Sequence, residues 1–475
     1  MALDVATTLA RLPHNSTKNA QAQVQEILRD TSSKVPILVA LDDDPTGTQT
    51  CHGIPVLMTW ETNTLAEELR RTPKGSGFFI LTNSRALMPG PAEELIGEII
   101  TNLKAASATT GVPFEIVLRS DSTLRGHFPL EADVAQRILG PADACLLCPF
   151  FYQGGRYTID DTHYVIEGDK LVPAAETPFA KDATFGYKNS NLRAYVEEKS
   201  QGRIPASEVA SLSLDTIRTG GPDAVLKQLL GVPKGSVVVV NATSDEDIDV
   251  VILAVLAASK QGKRYLYRTG AAFVSSRLGI TQIPPISAAQ LNFHPNVGGL
   301  VIAGSYVPKT TAQLNKLIEA SGDRLTVAEL QVEQLLKSTQ DADMVVADAI
   351  SLAEKEIARG QDVLVMTSRK LIVGADEAKS LEIGSVVAKA LVKLLVELKT
   401  KPRYVIAKGG ITSSDMASKG LRMKRADIVG QAAAGVPLWR CDEPSSKWPG
   451  LPYVVFPGNV GAVDTLYQVV NDWRA

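Results

Sequence analysis

Apolar residues come in short continuous blocks, separated by longer stretches in which they recur every three or four positions. The blocks are Ile37–Leu41, Phe78–Leu81, Glu115–Leu118, Ala144–Cys148, Val237–Val240, Tyr265–Tyr267, Leu300–Ala303, Val363–Met366, Tyr404–Ala407 and Tyr453–Phe456. Continuity rather than alternation predicts strands covered on both faces, as in a parallel sheet between helices. Leu95, Ile96, Ile99, Ile100 and Leu103, following Pro91, predict one covering helix. Ile383 to Leu398 and Val463 to Val470 carry two more stripes of the same period. Strands alternating with helices predict an α/β protein with largely parallel sheets flanked by helices.

Two stretches break the pattern. Residues 151–190 are rich in Gly, Tyr, Asp and Thr and read as a hairpin-like insertion. Residues 280–298 carry prolines and polar side chains and read as a linker. The expected domains are therefore 1–285, containing the insertion, and 296–475.

In open parallel sheets ligands bind outside the carboxyl ends of the strands. Unusual polar residues gather at those ends here. Ile37–Leu41 runs into Asp42-Asp43-Asp44-Pro45-Thr46-Gly47, Phe78–Leu81 into Thr82-Asn83-Ser84-Arg85, and Glu115–Leu118 into Arg119-Ser120-Asp121-Ser122-Thr123. The aspartates suit a general base or a hard cation such as Mg²⁺. The plainer alternative is that Asp44 or Thr46 caps a helix. Arg85 and Arg119 are forks that can grip a carboxylate or phosphate. Arg125 is placed to line the same cleft, and His127 reads as a structural hydrogen-bonding residue.

In the second half, Leu300–Ala303 ends in Gly304-Ser305, Tyr404–Ala407 in Lys408-Gly409-Gly410, and Tyr453–Phe456 in Pro457-Gly458. Glycine turns before helix starts suit phosphates, because the backbone can come close and free N–H groups point outward. Neither GxxxxGK[ST] nor GxGxxG occurs. Arg369-Lys370 reads as a solvated loop pair, and Cys145 and Cys148, inside an apolar block, as buried small hydrophobes.

Composition adds little to this and removes several alternatives. The 475 residues carry 49 Lys plus Arg against 52 Asp plus Glu, a net charge of -3. That balance argues against a nucleic-acid or anionic-membrane partner. Four cysteines make no disulfide framework, and five histidines stand singly, in no metal-ligand spacing. No run approaches ~20 apolar residues, and the N-terminal segment lacks the apolar core of a signal peptide, so a reduced cytoplasmic setting is expected.

The ordered motifs DDDPTGTQ, TNSR, RSDSTLRG, GGRYTIDD, ETPFAKD, AGSYVPKTTAQL, KGGITSSD, VPLW and FPGNVG resemble the four-carbon acid sugar kinase family from about residue 36 onward. The resemblance implies two α/β domains, with the active site in the cleft between them. It puts a sugar acid on the N-terminal domain, at Asp44, Arg85, Arg119, Ser120, Asp121 and Ser122. It puts ATP, with Mg²⁺, on the C-terminal domain, at Ser305, the Lys408-Gly409-Gly410-Ile411 turn and Gly458. Asp44 is the first candidate base and Asp121 the second. Arg85 and Arg119 would hold the substrate carboxylate, and Lys408 would offset developing charge. Ile411 stands where many bacterial members carry Glu. A homodimer is a compatible assembly. Two alternatives stay open at this stage: another enzyme acting on a phosphorylated sugar acid, and a binding protein without turnover.

Overall fold

All ten apolar blocks form or overlap strands in the computed structural model, which describes residues 2–30, 32, 35–293, 296–369, 372 and 377–474. His294 and Lys370 lie outside the described residues. The chain divides into two units, Met1–Gln282 and Ile283–Ala475.

The strands of the first unit are β1 (Leu3–Asp4), β2 (Ile37–Asp42), β3 (Ile54–Leu57), β4 (Gly77–Leu81), β5 (Phe114–Arg119), β6 (Ala144–Cys148), β7 (Arg156–Ile159), β8 (Thr162–Glu167), β9 (Lys170–Pro173), β10 (Ala210–Leu212), β11 (Ser236–Val240) and β12 (Tyr265–Thr269). Eight of them form a wholly parallel sheet in the order β10-β11-β6-β12-β5-β2-β4-β3. After β2 the chain adds β3 and β4 on one side, then returns to add β5 on the other. The crevice between β2 and β5 is thus the switch point, where α/β sheets hold ligands. Register sets Asp42 level with Leu81 and Arg119, and Arg119 level with Thr269, so the loops that follow leave the sheet together.

The helix Pro89–Thr110 packs Ile96, Ile99, Ile100 and Leu103 onto this sheet as the apolar stripe predicts. The insertion is an antiparallel sheet, β7-β8-β9, extended by the N-terminal strand β1. Cys145 and Cys148 are free, buried thiols in β6.

The second unit contains β13 (Leu300–Ala303), β14 (Leu325–Leu330), β15 (Asp362–Thr367), β16 (Val405–Lys408), β17 (Arg425–Ala433), β18 (Val436–Cys441) and β19 (Leu451–Phe456). Their order is β17-β18-β19-β16-β13-β15-β14, parallel from β19 to β14 and antiparallel at β17 and β18. Here the switch point falls between β13 and β16. Ala303, Lys408 and Phe456 share one level, so the turns after β13, β16 and β19 start together.

The last helix is Thr465–Asp472, with Leu466, Val469 and Val470 buried. Val463 precedes it and is exposed, so the expected stripe starts one turn too early. Among the described residues no helix is long and apolar enough to cross a membrane.

Candidate active site

The β2–β5 crevice of the first unit holds a dense set of arginines and aspartates. Asp44 is the N-cap of a short 3₁₀ turn, Pro45–Thr48, and its Oδ1 accepts the Thr46 amide at 2.8 Å. It is also the aspartate at the mouth: its Oδ2 lies 2.5 Å from Arg85 Nη2, and its side chain is 20% exposed. One oxygen of this carboxylate thus caps the turn while the other pairs with Arg85.

Arg85 also reaches Asp121 Oδ1 at 3.5 Å and Asp43 Oδ1 at 3.9 Å. Asp121 is held on its other side by Arg125 Nε at 2.7 Å and by the Thr123 hydroxyl. Burial alone would raise both carboxyls. Arg85 with Thr46 holds Asp44 below the ordinary range, and Arg85 with Arg125 holds Asp121 well below it. Both are ionised at neutral pH.

The loop 120–126 that carries Asp121 is pinned from outside. Tyr187 donates to the Thr123 carbonyl and Tyr195 to the Leu124 carbonyl, each at 2.8 Å. His163 Nε2 lies 2.7 Å from the Ser122 carbonyl and must be the protonated nitrogen, since a carbonyl only accepts. Burial pushes this imidazole down to about 4, so it stays neutral. Tyr187 and His163 belong to the insertion, which thus buttresses the Asp121 loop.

Arg119 occupies a different place from the one expected. It ends β5 directly beside Asp42 in the sheet, is 4% exposed, and pairs with Asp42 Oδ1 at 3.2 Å. Its guanidinium lies under the crevice rather than on its surface. Burial pushes Asp42 up to about 8 despite that partner. Ser120 and Ser122 are also buried; Ser120 donates its amide to the Thr269 carbonyl, fixing β5 to β12. Of the six sequence candidates, Asp44, Arg85 and Asp121 meet at the crevice, while Arg119, Ser120 and Ser122 build its floor.

Asp43, the middle residue of the aspartate triplet, lies deeper than Asp44. It is buried, both its carboxylate oxygens lack a hydrogen-bond partner, and burial raises its pKa. Beneath it, Ser84 donates to Glu131 at 2.6 Å, and burial with the nearby Asp43 brings Glu131 to about 7. His127 Nε2 sits 3.1 Å from the Ser84 carbonyl and 3.0 Å from the Leu87 carbonyl, a structural role as expected.

In the second unit three turns converge. A Cβ on Gly409 would lie 3.2 Å from the Ser305 Cβ, and one on Gly458 would lie 3.8 Å from the Ser305 hydroxyl. Gly409 has φ +112°, a conformation that suits glycine alone. The turn after β19 is tied down by Thr310, which donates to the Gly458 carbonyl at 3.1 Å. Gln313 donates to the Val460 and Ala462 carbonyls at 3.0 and 2.8 Å. Both side chains come from the helix Pro308–Ser321, which explains the TTAQ motif.

Beside the three turns opens a cavity of about 410 Å³, lined by Tyr306, Ile383, Val387, Leu391, Ile411 and Met416 on its apolar side and by Ser305, Thr412 and Asp415 on its polar side. That size and lining fit an aromatic base and sugar. Ile411, 62% exposed, forms part of the apolar wall.

Two cations differ from expectation. Lys408 is fully buried; its ammonium donates to the Pro457 carbonyl at 2.5 Å and lies 4.3 Å from the Phe456 ring centroid. Arg369 is not in a solvated loop. It is half-buried against Tyr306 and donates to the Ser305 carbonyl at 2.7 Å, which fixes the first turn.

A family model described as a sugar-binding N-terminal domain matches residues 38–277, and one described as a nucleotide-binding C-terminal domain matches residues 300–466. The chain belongs to this family. The pair of matches fits the four-carbon acid sugar kinase family that the motifs resemble. A Salmonella typhimurium LT2 protein, provisionally described as a tRNA synthase, superposes with a TM-score of 0.66 at 15% identity, covering 91% of this chain and 98% of its own. A Haemophilus influenzae protein from a family of unknown function gives 0.61 at 17% identity, covering 91% and 99%. These two likenesses show the fold. A Bordetella bronchiseptica domain of unknown function, with bound citrate and described as a domain-swapped dimer, gives 0.39 at 21% identity over 92% and 99%. No curated protein matches the chain.

Proposed function

We infer that the protein transfers a phosphoryl group from MgATP to a hydroxyl of a four-carbon sugar acid of the threonate, erythronate or 3-oxo-tetronate type. The observation that carries this reading is the ionised Asp44 at the mouth of the crevice, one oxygen capping its turn and the other on Arg85. The match of the second unit to a nucleotide-binding domain supports the donor, and the match of the first to a sugar-binding domain supports the acceptor.

The substrate hydroxyl oxygen attacks the γ-phosphorus, the bond to the β-phosphate oxygen breaks, and ADP leaves. The hydroxyl proton passes to the Asp44 carboxylate. Such a transfer needs positioning and charge stabilisation more than covalent help, so an ionised, fixed carboxylate suits it. Arg85 keeps Asp44 oriented. Ser305, Gly409, Gly410 and Gly458 form the phosphate cradle, and the cavity beside them takes the nucleoside. Mg²⁺ arrives with the triphosphate as part of the substrate.

A coupled ADP-release assay over threonate, erythronate and their 3-oxo forms tests this, with thermal melting in MgATP alongside. Substrate-dependent ADP release is expected, together with stabilisation by ATP. In Gly409→Ala the added Cβ meets Ser305 in a strained backbone, so at least tenfold weaker nucleotide binding is expected. Silence over the panel with ATP still stabilising would refute the acid; silence with no ATP effect would refute the kinase.

Lys408 gives nucleotide binding a pH dependence. Burial, with Lys309 nearby, pushes its ammonium down to about 7. Phosphates favour the charged form, so binding raises this pKa. The resulting affinity is fully present below about pH 7 and declines as pH climbs above it. Calorimetry in two buffers of different ionisation enthalpy should show proton uptake near pH 8. Lys408→Met should abolish it, and equal uptake in that variant would exclude Lys408 as the source.

A further inference from the structure

Five arginines surround the crevice of the first unit, and three are matched by carboxylates: Arg85 by Asp44 and Asp121, Arg119 by Asp42, and Arg125 by Asp121. Among the described residues Arg156 and Arg268 have no carboxylate within 4 Å. Arg268 is 2% exposed and donates to the Arg125 carbonyl at 3.1 Å, so no ligand reaches it. Arg156, the first residue of β7 in the insertion, is partly exposed.

Its guanidinium carbon lies 5.7 Å from the centroid of the Phe179 ring, and that of Arg125 lies 5.2 Å from the same ring. Two like charges thus share one aromatic side chain, and Asp121 is near enough to act on both. Burial, and then the repulsion of Arg125 set against the attraction of Asp121, hold Arg156 below the ordinary arginine value. Nη1 is taken by the Gly154 carbonyl, while the buried Nε has no partner. The remaining edge of the fork is Nε with Nη2, two parallel donors that match the two oxygens of a carboxylate.

The geometry points to Arg156 as the group that grips the carboxylate of the sugar acid and makes the site choose acids over neutral sugars. The inference rests on the sugar-acid reading above. It also explains why the insertion is there: its tyrosine and histidine fix the Asp121 loop, and its arginine reads the charged end of the substrate. A neutral polyol would leave the fork unpaired, which is how a buried donor rejects the wrong ligand.

The test is calorimetric binding of threonate and erythronate, with threitol and erythritol as neutral counterparts, to wild type, Arg156→Ala and Arg156→Lys. The calorimetric melting transition of the first unit reports on folding in each variant. The wild type should bind the acids well above the polyols. Arg156→Ala should weaken acid binding by about 10- to 100-fold and leave the polyols unchanged. Arg156→Lys, which keeps the charge and loses the fork, should fall between. In turnover the loss should appear in KM, with kcat nearly unchanged. If Arg156→Ala binds the acids within twofold of wild type, Arg156 is not the carboxylate grip, and the kinase reading stands. A wild type that binds ATP and none of the acids overturns both. Should Arg156→Ala not fold, acid binding by Arg156→Lys equal to wild type overturns the inference on its own.

Discussion

Asp44→Asn should lower kcat by about 10²- to 10⁴-fold, the usual contribution of a positioned proton acceptor, with KM for the acid changed only a few-fold. The substitution isolates the charge. Asparagine caps as well as aspartate, so the bond from the Thr46 amide and the 3₁₀ turn survive. Arg85 loses its 2.5 Å partner but keeps Asp121 at 3.5 Å. The crevice therefore stays assembled while the carboxylate beside Arg85 at its mouth turns neutral. Asp121→Asn is the informative comparison. Asp121 is 12% exposed and sits between Arg85 and Arg125, so neutralising it unbalances two cations at once. Its expected signature is a higher KM, with a smaller loss of kcat. The ADP-release assay reads both variants. Full turnover in Asp44→Asn with a collapse of kcat in Asp121→Asn would move the proton acceptor to Asp121.

The parts of this arrangement that the sequence made legible are those set by one strand at a time. A strand buried on both faces has to be continuously apolar, so β2, β6 and β13 stand out, and the polar residues that end them mark the ligand side of the sheet. What depends on a neighbouring strand did not show. Arg119 looks like an open fork after β5, yet register sets it beside Asp42 and under the crevice. Lys408 ends β16 and leads into a glycine turn, yet its ammonium folds under that turn onto the Pro457 carbonyl.

Strands covered on one face were missed for another reason. β17 alternates buried and half-buried positions along RADIVGQAA, where alanine, glycine and glutamine give almost no apolar contrast. β14 mixes buried Leu325, Ala328 and Leu330 with half-buried Thr326 and Val327, and its Glu329 is exposed. Arg156 had a signal, the GGRYT motif, but nothing local says that the hairpin carrying it folds back towards Asp121.

The same dependence on close neighbours makes Gly47→Ala the substitution with the largest expected cost to stability. Gly47 lies in the 3₁₀ turn after Asp44, and a Cβ placed there would fall 2.0 Å from both oxygens of the Asp42 carboxylate. Asp42 is fully buried, short and tied to Arg119, so it has nowhere to turn without breaking that pair. Burial raises the Asp42 carboxyl to about 8, so above that pH the pair is charged, and disrupting a buried charge pair there costs about 3–5 kcal/mol. At that size the melting transition of the first unit should fall by roughly 10 °C, read by calorimetry. Gly90→Ala is the control: it lies in the first turn of Pro89–Thr110 with nothing within 4 Å of a Cβ, so a change within about 0.5 kcal/mol is expected. A double-mutant cycle isolates the cause. Asp42→Ala alone leaves Arg119 with only Asp43, at 4.0 Å, and should destabilise by itself. It also vacates the space that the Gly47→Ala methyl needs. The double variant should then be more stable than the sum of the singles predicts, by more than about 1 kcal/mol. Strict additivity would mean that the methyl meets something other than Asp42, and that the glycine of this turn is not what lets the backbone close over the Asp42–Arg119 pair.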